Sequence, residues 1–306
     1  AFPGIEVAVE STVAGGLHVS AVPAEAREHF DAIVEGEAEP VWEQVVHDFE
    51  AGSLQRHYAS HFDNSLEHLL APDRRFVHPS YKLASLSTSR GCMNRCTFCY
   101  MGSLARKSYR TIPTDRVVED FREVKRRFIV LSDANFLGFS EEDIDSRKEL
   151  CARLAELRLR KYWAAQVTAD IIKHPDLPRL LYRAGCRMAF VGFETIGDEG
   201  LGSIDKGHNT EIDYYKVVRT LQDAGIGVAA SFILGLDSHR PDYERAIGNW
   251  LDRARPLFLN LGVLTPMPNT ALYRTLREEG RLLADGVELW RHLDKATNTM
   301  QYRHLS

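Results

Sequence analysis

The sequence lacks the features that would place the protein in a membrane, outside the cell or on a nucleic acid. No uninterrupted apolar run approaches the roughly 18 residues of a membrane-spanning helix. The first 16 residues carry Glu6 and Glu10 but no basic residue, so they do not resemble a secretory signal. The formal net charge of -5 gives no basic excess that would bind phosphate backbones. We therefore expect a cytoplasmic protein that binds a small-molecule substrate, with no nucleic-acid partner and no membrane span.

Cysteine is also scarce, with five residues among 306, and an odd number does not fit a disulfide framework. Three of them, Cys92, Cys96 and Cys99, fall within eight consecutive positions. Such spacing indicates a metal site in a reducing compartment. Cys151 and Cys186 are isolated in the sequence, and we expect both to be buried thiols.

From residue 83 onward, short apolar and partly β-branched runs alternate with amphipathic helical stretches, which is typical of βα units around a parallel sheet. Strands are predicted over residues 83–89, 128–132, 162–168, 187–193, 227–236 and 257–265, and helices over 114–127, 148–160 and 210–225. Six βα units predict an α/β fold with an open, partial (β/α)6 TIM-like barrel. In such barrels the loops that follow the strands form the active face.

The N-terminal part has a different organisation. Residues 5–13 and 31–35 are predicted strands around a helix that begins near Pro23, and a further helix is predicted over 39–50. This pattern is typical of a remnant, or of the C-terminal half, of a Rossmann-like domain. Such a domain needs more than two strands to bury both faces of its sheet, so we expect an N-terminal portion to be missing. The predicted organisation is a partial domain over 1–51, a polar linker over 52–82, the barrel over 83–275 and a C-terminal segment over 276–306.

The cysteine motif directly follows the first predicted barrel strand, on the active face. A four-iron cluster normally takes four thiolates, and this compact loop offers three, so one iron would remain open to a ligand. The alternative is a structural zinc site, which would need a fourth ligand such as His68 or His78 from the preceding segment.

The spacing C-x3-C-x2-C with Phe98 before the last cysteine resembles the signature of the radical S-adenosylmethionine (SAM) superfamily. The resemblance implies that Cys92, Cys96 and Cys99 hold a 4Fe–4S cluster, whose open iron binds the amino and carboxylate groups of SAM. It also implies reductive cleavage of SAM to methionine and a 5′-deoxyadenosyl radical. An electron donor such as flavodoxin or ferredoxin would then be a partner.

Polar residues lie where the next predicted strands end. Asp133 and Asn135 follow the second strand, where members of this family place a polar motif for the SAM amino group, although both residue types also favour loop turns. Gln166 ends the third strand. Glu194 ends the fourth, and the family places the corresponding glutamate beside SAM. A structural salt bridge is the alternative role for Glu194, because a carboxylate leaving an apolar strand needs a partner.

The last two strand ends carry a second part of the resemblance. Ser231, Ile233 and Gly235 resemble the family's G-x-I-x-G motif near the SAM adenine, with serine in place of the first glycine. Gly235 would permit close approach of a flat ligand, or serve only a turn. Leu264 ends the sixth strand, on the same side.

The N-terminal part is similar to the second half of the cobalamin-binding domain found in one branch of the family. Residues that would lie on the cobalamin side are Gly15, Gly16, His18, Gly36 and Glu37. Glycines at strand ends suit a nucleotide-like tail. The Asp-x-His-x-x-Gly motif of that branch is missing, so the sequence leaves cobalamin binding open.

Three functional hypotheses follow from these patterns. The first is a radical SAM enzyme that modifies an unactivated carbon of an organic metabolite, with C-methylation as the first choice. The second is cobalamin-independent cyclisation, rearrangement or oxidation through the 5′-deoxyadenosyl radical. The third is a metal-binding or redox-sensing protein without catalysis. The sequence identifies neither a catalytic acid or base nor a substrate. Four candidate residues could contact a substrate but could equally be core or surface residues: Tyr214, Tyr215, Trp290 and His292.

Overall fold

The computed structural model describes residues 11–62, 64–104, 108–291 and 299–303. The chain divides into two compact units, essentially residues 1–64 and residues 65–306. None of the helices in the described ranges is long and apolar enough to cross a membrane.

The first unit has a small parallel sheet covered by short helices. Its strands, in sheet order, are β1 (Val13–Ala14), β2 (Ala32–Glu35) and β3 (His57–Ala59). Its helices are α1 (Leu17–Ala21), α2 (Pro23–His29) and α3 (Trp42–Glu50). The Rossmann-like pattern predicted for this part is confirmed, although residues 5–10 of the first predicted strand lie outside the described residues. The predicted linker over 52–82 is wrong in one respect, because β3 lies within it and extends the sheet.

The second unit contains the predicted partial barrel. Its strands are β4 (Leu83–Leu86), β5 (Ser89–Gly91), β6 (Tyr109–Thr111), β7 (Phe128–Leu131), β8 (Tyr162–Val167), β9 (Cys186–Glu194), β10 (Gly227–Leu234) and β11 (Phe258–Val263). Its helices are α4 (Tyr100–Leu104), α5 (Thr114–Glu123), α6 (Glu141–Glu156), α7 (Leu177–Arg183), α8 (Asp198–Ser203), α9 (Tyr214–Asp223), α10 (Tyr243–Ala254), α11 (Ala271–Glu278) and α12 (Gly286–Arg291).

Six of these strands pair in parallel in the order β4-β7-β8-β9-β10-β11, which confirms the six predicted βα units. The core lies between this sheet and the helices that connect its strands. Val117 and Phe121 of α5 and Leu150 of α6 are almost completely buried in it. Because all six strands run the same way, their carboxyl ends share one edge, where the site residues are expected.

Helix α6 begins earlier than predicted, at Glu141 instead of residue 148. Ser140 accepts a hydrogen bond from the backbone N–H of Asp143, and the Asp143 side chain accepts one in return from Ser140. This capping box satisfies the first free N–H groups of the helix. The acidic first turn, with Glu141 and Glu142, adds favourable interactions with the helix dipole.

The first predicted strand, over 83–89, is shorter than expected. β4 ends at Leu86, and β5 instead pairs antiparallel with β6 to form a separate two-stranded ribbon. Gly91, at the end of β5, has φ +88, and a Cβ there would lie 1.9 Å from the carbonyl oxygen of Ser108. Only glycine fits this close approach. The ribbon thus holds both ends of the segment that carries the cysteine motif.

Candidate functional site

The three clustered cysteines occupy the loop between β5 and α4. Cys92 and Cys96 are each only 9% exposed, Cys99 is half-buried, and all three are free thiols. Backbone hydrogen bonds fix the loop between them, since Thr97 donates to the carbonyl of Ile204 over 3.1 Å and accepts from Leu272 over 2.9 Å. The loop is therefore tied to the segment after β9 and to the start of α11.

The thiols of this loop do not form a site for one metal ion. Within the described ranges, no three His, Cys, Asp or Glu side chains converge as they would on one metal ion. A four-iron cluster instead places each thiolate on a different iron, so its ligands stand further apart than those of zinc. His78, one of the two proposed zinc ligands, is hydrogen-bonded to Ser80 through Nδ1 over 2.8 Å. The thiol set of this loop fits a cluster with three protein ligands.

The thiols of this loop lie in a low-dielectric environment. Burial raises the pKa of Cys96 to about 12 and also raises the pKa of Cys92, while the nearby charge of Lys206 opposes both changes. Because metal-bound cysteine is a thiolate, loading a cluster must release protons from these groups. A cation beside the loop favours that release.

That cation belongs to a buried ion pair at the end of β9. Lys206 donates to Glu194 over 2.5 Å and to the carbonyl of Gly192 over 2.8 Å, and both charged residues are less than 10% exposed. Gly192 leaves room for the pair, since a Cβ there would lie 2.4 Å from Glu194 Oε1. Glu194 has φ +66, a conformation that is uncommon for non-glycine residues. The salt bridge that the sequence left as an alternative exists, and it lies beside the cysteine loop.

Asp133 supports the start of the cysteine segment. Its carboxylate accepts hydrogen bonds from the backbone N–H of Thr88 over 2.7 Å and of Ser89 over 3.0 Å, and from the Thr88 hydroxyl. Arg147 of α6 in turn donates to that hydroxyl over 2.8 Å, with its guanidinium over the ring of Phe136. Burial raises the pKa of Asp133, although these hydrogen bonds and Arg147 oppose the change. Through these contacts Asp133 fixes the path of the chain into β5.

Asn135 and Gln166 lie at the ends of β7 and β8. Asn135 donates to the carbonyl of Gly138 over 3.0 Å and accepts from the N–H of Leu137 over 3.3 Å, which is a turn-forming pattern. The Gln166 side chain is exposed. Asn135 also lines a cleft of about 390 Å³ at this edge, which reaches Asn94 of the cysteine loop. Other polar side chains around this cleft are Thr168, Asp170, Lys173, His174 and His208.

An apolar group brings together the remaining residues predicted at the SAM side. Phe98, Ile233 and Leu264 pack in one cluster together with Leu236 and Tyr302. The flat group against Gly235 is the ring of Tyr302, because a Cβ at Gly235 would lie 2.4 Å from Tyr302 Cε1. Ser231 does not join this cluster.

The Ser231 hydroxyl instead accepts a hydrogen bond from Asn260 on the neighbouring strand over 3.0 Å. Of the proposed substrate-side residues, Tyr214 is buried and donates to the carbonyl of Phe193, while Tyr215 packs on Trp250. His292 lies outside the described residues.

A buried histidine network connects the ends of β9 and β10. Tyr243 donates to the Thr195 hydroxyl over 3.0 Å, and that hydroxyl lies 3.0 Å from His239 Nε2. Because the Thr195 oxygen accepts from Tyr243, its own proton is available for His239, which must then be neutral. The His239 ring stacks on Tyr243 at 3.5 Å and is 2% exposed. Burial lowers the pKa of His239 to about 4.

This network predicts a loss of stability in acid. Unfolded histidine titrates near its ordinary pKa, so between pH 6.5 and 4 the unfolded chain binds a proton that the folded chain rejects. Neutral His239 therefore makes its full contribution to the free energy of unfolding well above pH 6.5. That contribution falls by about 2 kcal/mol between pH 8 and pH 5. Urea unfolding of the metal-free protein at both pH values measures the change. His239→Gln should reduce this pH dependence by about the same amount, and an unchanged dependence would contradict the assignment.

The glycines predicted for cobalamin lie at one edge of the small sheet. Gly15 and Gly16 follow β1, and Gly36 follows β2 with φ +95. The N–H of Gly36 donates to the Ser20 hydroxyl over 2.9 Å. A Cβ at Gly36 would lie 2.4 Å from the carbonyl oxygen of Ser60, whereas one at Gly16 would meet no atom within 4 Å. The edge of the sheet is thus open at Gly16, whereas the backbone of Ser60 closes it at Gly36.

His18 and Glu37 differ in their surroundings. His18 is exposed and lies 4.0 Å from Glu25. Glu37 is 8% exposed and accepts from the Asn64 amide over 3.2 Å. The described residues supply no Asp-x-His-x-x-Gly loop beside this edge.

The family model described as the radical SAM superfamily matches residues 86–248. The chain therefore belongs to the radical SAM superfamily, the class that the cysteine loop and the partial barrel define. A 4Fe–4S cluster and SAM are the cofactors of this class, as the motif predicted.

Several proteins of known name are similar to the chain. Bacteriochlorophyllide d C-12(1)-methyltransferase of Chlorobaculum tepidum is 27% identical over 277 residues, which cover 87% of this chain and 60% of that protein. Hopanoid C-2 methylase of Rhodopseudomonas palustris is 28% identical over 67% of this chain and 40% of that protein. The chain thus spans only 60% and 40% of the length of these two relatives.

Solved structures share the fold. The radical SAM methyltransferase TsrM of Kitasatospora setae, solved with cobalamin and a 4Fe–4S cluster, superposes with a TM-score of 0.73 at 18% identity, covering 90% of this chain and 61% of that one. The cobalamin-dependent SAM radical enzyme OxsB gives a TM-score of 0.66 at 15% identity, covering 95% and 51%. At these identities the likeness establishes the fold alone.

Sequence reasoning missed three residues of this site. Lys206 and Arg147 are single basic residues within a loop and a helix, and no local pattern distinguishes them from surface cations. Tyr302 lies beyond the last barrel strand. A hint existed only for Lys206, since a carboxylate predicted at the end of an apolar strand requires a cation somewhere.

Proposed function

We propose that the chain is the radical SAM part of an enzyme that methylates an unactivated carbon of an organic metabolite. The observation that carries the proposal is the loop of three buried or half-buried thiols beside the Glu194–Lys206 pair. Methyl transfer as the reaction is supported by the relatives, since those that match most of this chain carry names of methyltransferases.

The roles of the residues follow from their chemistry. When bound, the cluster supplies the single electron that breaks a carbon–sulfur bond of SAM. Cys92, Cys96 and Cys99 would hold the cluster through their three thiolates, and the missing fourth thiolate would leave it open to SAM. Lys206 stabilises the thiolates, and Glu194 holds Lys206 in place. The low exposure of these groups excludes water, which protects a reactive radical from side reactions.

Cobalamin is part of the proposal through the first unit. The open glycine at Gly16 and the parallel strand ends suit the nucleotide tail of cobalamin. Bound there, cobalamin would supply a carrier for the methyl group. The second candidate is radical chemistry without cobalamin, which leads to cyclisation, rearrangement or oxidation.

Product analysis separates the two candidates. We expect anaerobically reconstituted protein, given dithionite, SAM and hydroxocobalamin, to form 5′-deoxyadenosine from reductive cleavage of SAM and S-adenosylhomocysteine from methylation of the reduced cobalamin by SAM. Formation of 5′-deoxyadenosine alone, without cobalamin binding in the visible spectrum, would support the second candidate. Neither product from protein with a full iron complement would contradict both candidates and leave the metal-binding hypothesis.

The electron donor, the cellular location and the limits of the domains are further parts of the proposal. We propose flavodoxin or ferredoxin as the electron donor, because the reaction consumes single electrons at low potential. A cytoplasmic location suits the five free cysteines, since thiols stay reduced there. We propose residues 83–275 as the catalytic barrel and residues 276–306 as a segment that contributes to the same site.

A further inference from the structure

The C-terminal segment Thr299–Arg303 returns to the active edge of the barrel. Met300 forms an antiparallel bridge with Leu282, and Gln301 both donates to and accepts from Arg281, over 2.8 and 3.0 Å. Thr299 and Met300 are each only 1% exposed. The segment is therefore a fixed part of the second unit.

Ion pairs fix the segment at the end of β10. Asp237, three residues beyond that strand, accepts two hydrogen bonds from Arg281 over 2.8 and 2.5 Å. Arg303 reaches the same carboxylate over 3.1 Å and also binds Glu279 over 2.9 Å. Two guanidinium groups thus share one carboxylate where the family motif around Gly235 ends.

These contacts hold the Tyr302 ring against Gly235 and beside Phe98. Gly235 has φ +91 and no side chain, which permits the ring to lie on its Cα. Tyr302 packs in the same apolar cluster as Phe98, the aromatic residue of the cysteine motif, and Leu264. The C-terminal segment therefore reaches the side of the cysteine loop that the adenine motif occupies.

The hydroxyl of Tyr302 lacks a hydrogen-bond partner among the described residues. It is buried, and it makes no hydrogen bond to any residue in the described ranges. The hydroxyls of Thr299, on the same segment, and of Ser238, next to Asp237, are likewise buried without a partner there. A buried hydroxyl without a partner is costly, and a phenol can both donate and accept. A polar ligand beside the Tyr302 ring would satisfy its hydroxyl.

We propose that Tyr302 forms a wall of the SAM site, with its ring against the nucleoside and its hydroxyl in a hydrogen bond to it. The inference rests on the use of SAM in the proposed function. The methionine end of SAM is committed to the cluster, so the nucleoside must extend along the strand ends, and the Gly235 side offers an apolar surface with polar groups lacking partners. A nucleoside has the flat apolar face and the hydroxyl and ring-nitrogen atoms that this surface requires.

The test is SAM binding by the reconstituted holoenzyme, without reductant, in anaerobic equilibrium dialysis. Tyr302→Phe removes the hydroxyl and keeps the ring, and we expect its Kd for SAM to rise about 5- to 15-fold. Tyr302→Ala also removes the stacking surface, and we expect a rise of about 20- to 100-fold. Tyr81, which is 63% exposed, supplies the matched controls Tyr81→Phe and Tyr81→Ala, which should bind SAM as the original protein does.

Iron content and the circular dichroism spectrum show whether each variant is folded and loaded. The inference is overturned if folded, fully loaded Tyr302→Phe binds SAM with an unchanged Kd. It is also overturned if folded, fully loaded Tyr302→Ala binds SAM as tightly as Tyr81→Ala does. Because the original protein is assayed for 5′-deoxyadenosine in parallel, failure of the proposed function is recognised separately.

Discussion

Cys96→Ala is expected to remove the reducible cluster and to reduce SAM cleavage by more than about 100-fold, because loss of groups that merely support metal ligands already costs 10- to 100-fold. Cys96 is 9% exposed, and the backbone of the loop around it is fixed by hydrogen bonds of Thr97. Alanine leaves those backbone bonds intact. The change therefore removes one thiolate while the loop keeps its path.

Iron analysis and the electron paramagnetic resonance spectrum after dithionite reduction measure the first effect, and 5′-deoxyadenosine formation measures the second. Cys186→Ala is the matched control. Cys186 is 2% exposed in the core of the barrel, and its thiol donates a weak hydrogen bond to the carbonyl of Met188 over 3.6 Å. We expect this variant to load iron normally. A full, reducible cluster in Cys96→Ala would contradict the assignment of the ligand.

The barrel could be predicted from the sequence because its central strands β8, β9 and β10 are apolar and largely buried, and because amphipathic helices separate them. Val191 of β9 and Val228 of β10 have no measurable exposure, and such strands give continuous apolar runs. The ends of β7, β8 and β9 lie within one residue of those predicted, whereas β4 ends at Leu86 instead of residue 89. The ribbon of β5 and β6 was missed because each strand has only three residues, too few for a periodic pattern.

The candidate site was predictable only where its chemistry is local. Three cysteines in eight positions identify a cluster loop, since all ligands come from one segment. Lys206, Arg147 and Tyr302 act through contacts with residues 12, 59 and 67 positions away in the chain. Such contacts are set by the packing of the barrel, and no spacing in the sequence encodes them. Asp133 illustrates the limit, because its position was predicted but its partners Thr88 and Arg147 were not.

Lys206→Met is expected to destabilise the protein by about 3–5 kcal/mol, because it leaves the buried carboxylate of Glu194 without a cation. Both side chains are about nine-tenths buried, at 8% and 11% exposure, so water cannot replace the lost partner. Gly192 keeps its second hydrogen bond, from Asn209 over 3.0 Å, so its carbonyl does not add to the loss. Urea unfolding of the metal-free protein at pH 7.5 measures the free energy of unfolding.

The double variant Glu194→Gln with Lys206→Met decides whether the uncompensated charge causes the loss. A neutral amide costs far less to bury than a carboxylate, so we expect the double variant to recover most of the stability that Lys206→Met loses. Arg291→Met is the control, because its ion pair with Glu288 is 70% and 53% exposed and should contribute less than about 1 kcal/mol. If the double variant were as unstable as Lys206→Met, the cause would be lost packing of the lysine chain. Both variants lack the Lys206 charge, so the thiols of Cys92 and Cys96 ionise less readily in each. Both should therefore load iron more slowly at neutral pH than the Arg291→Met control.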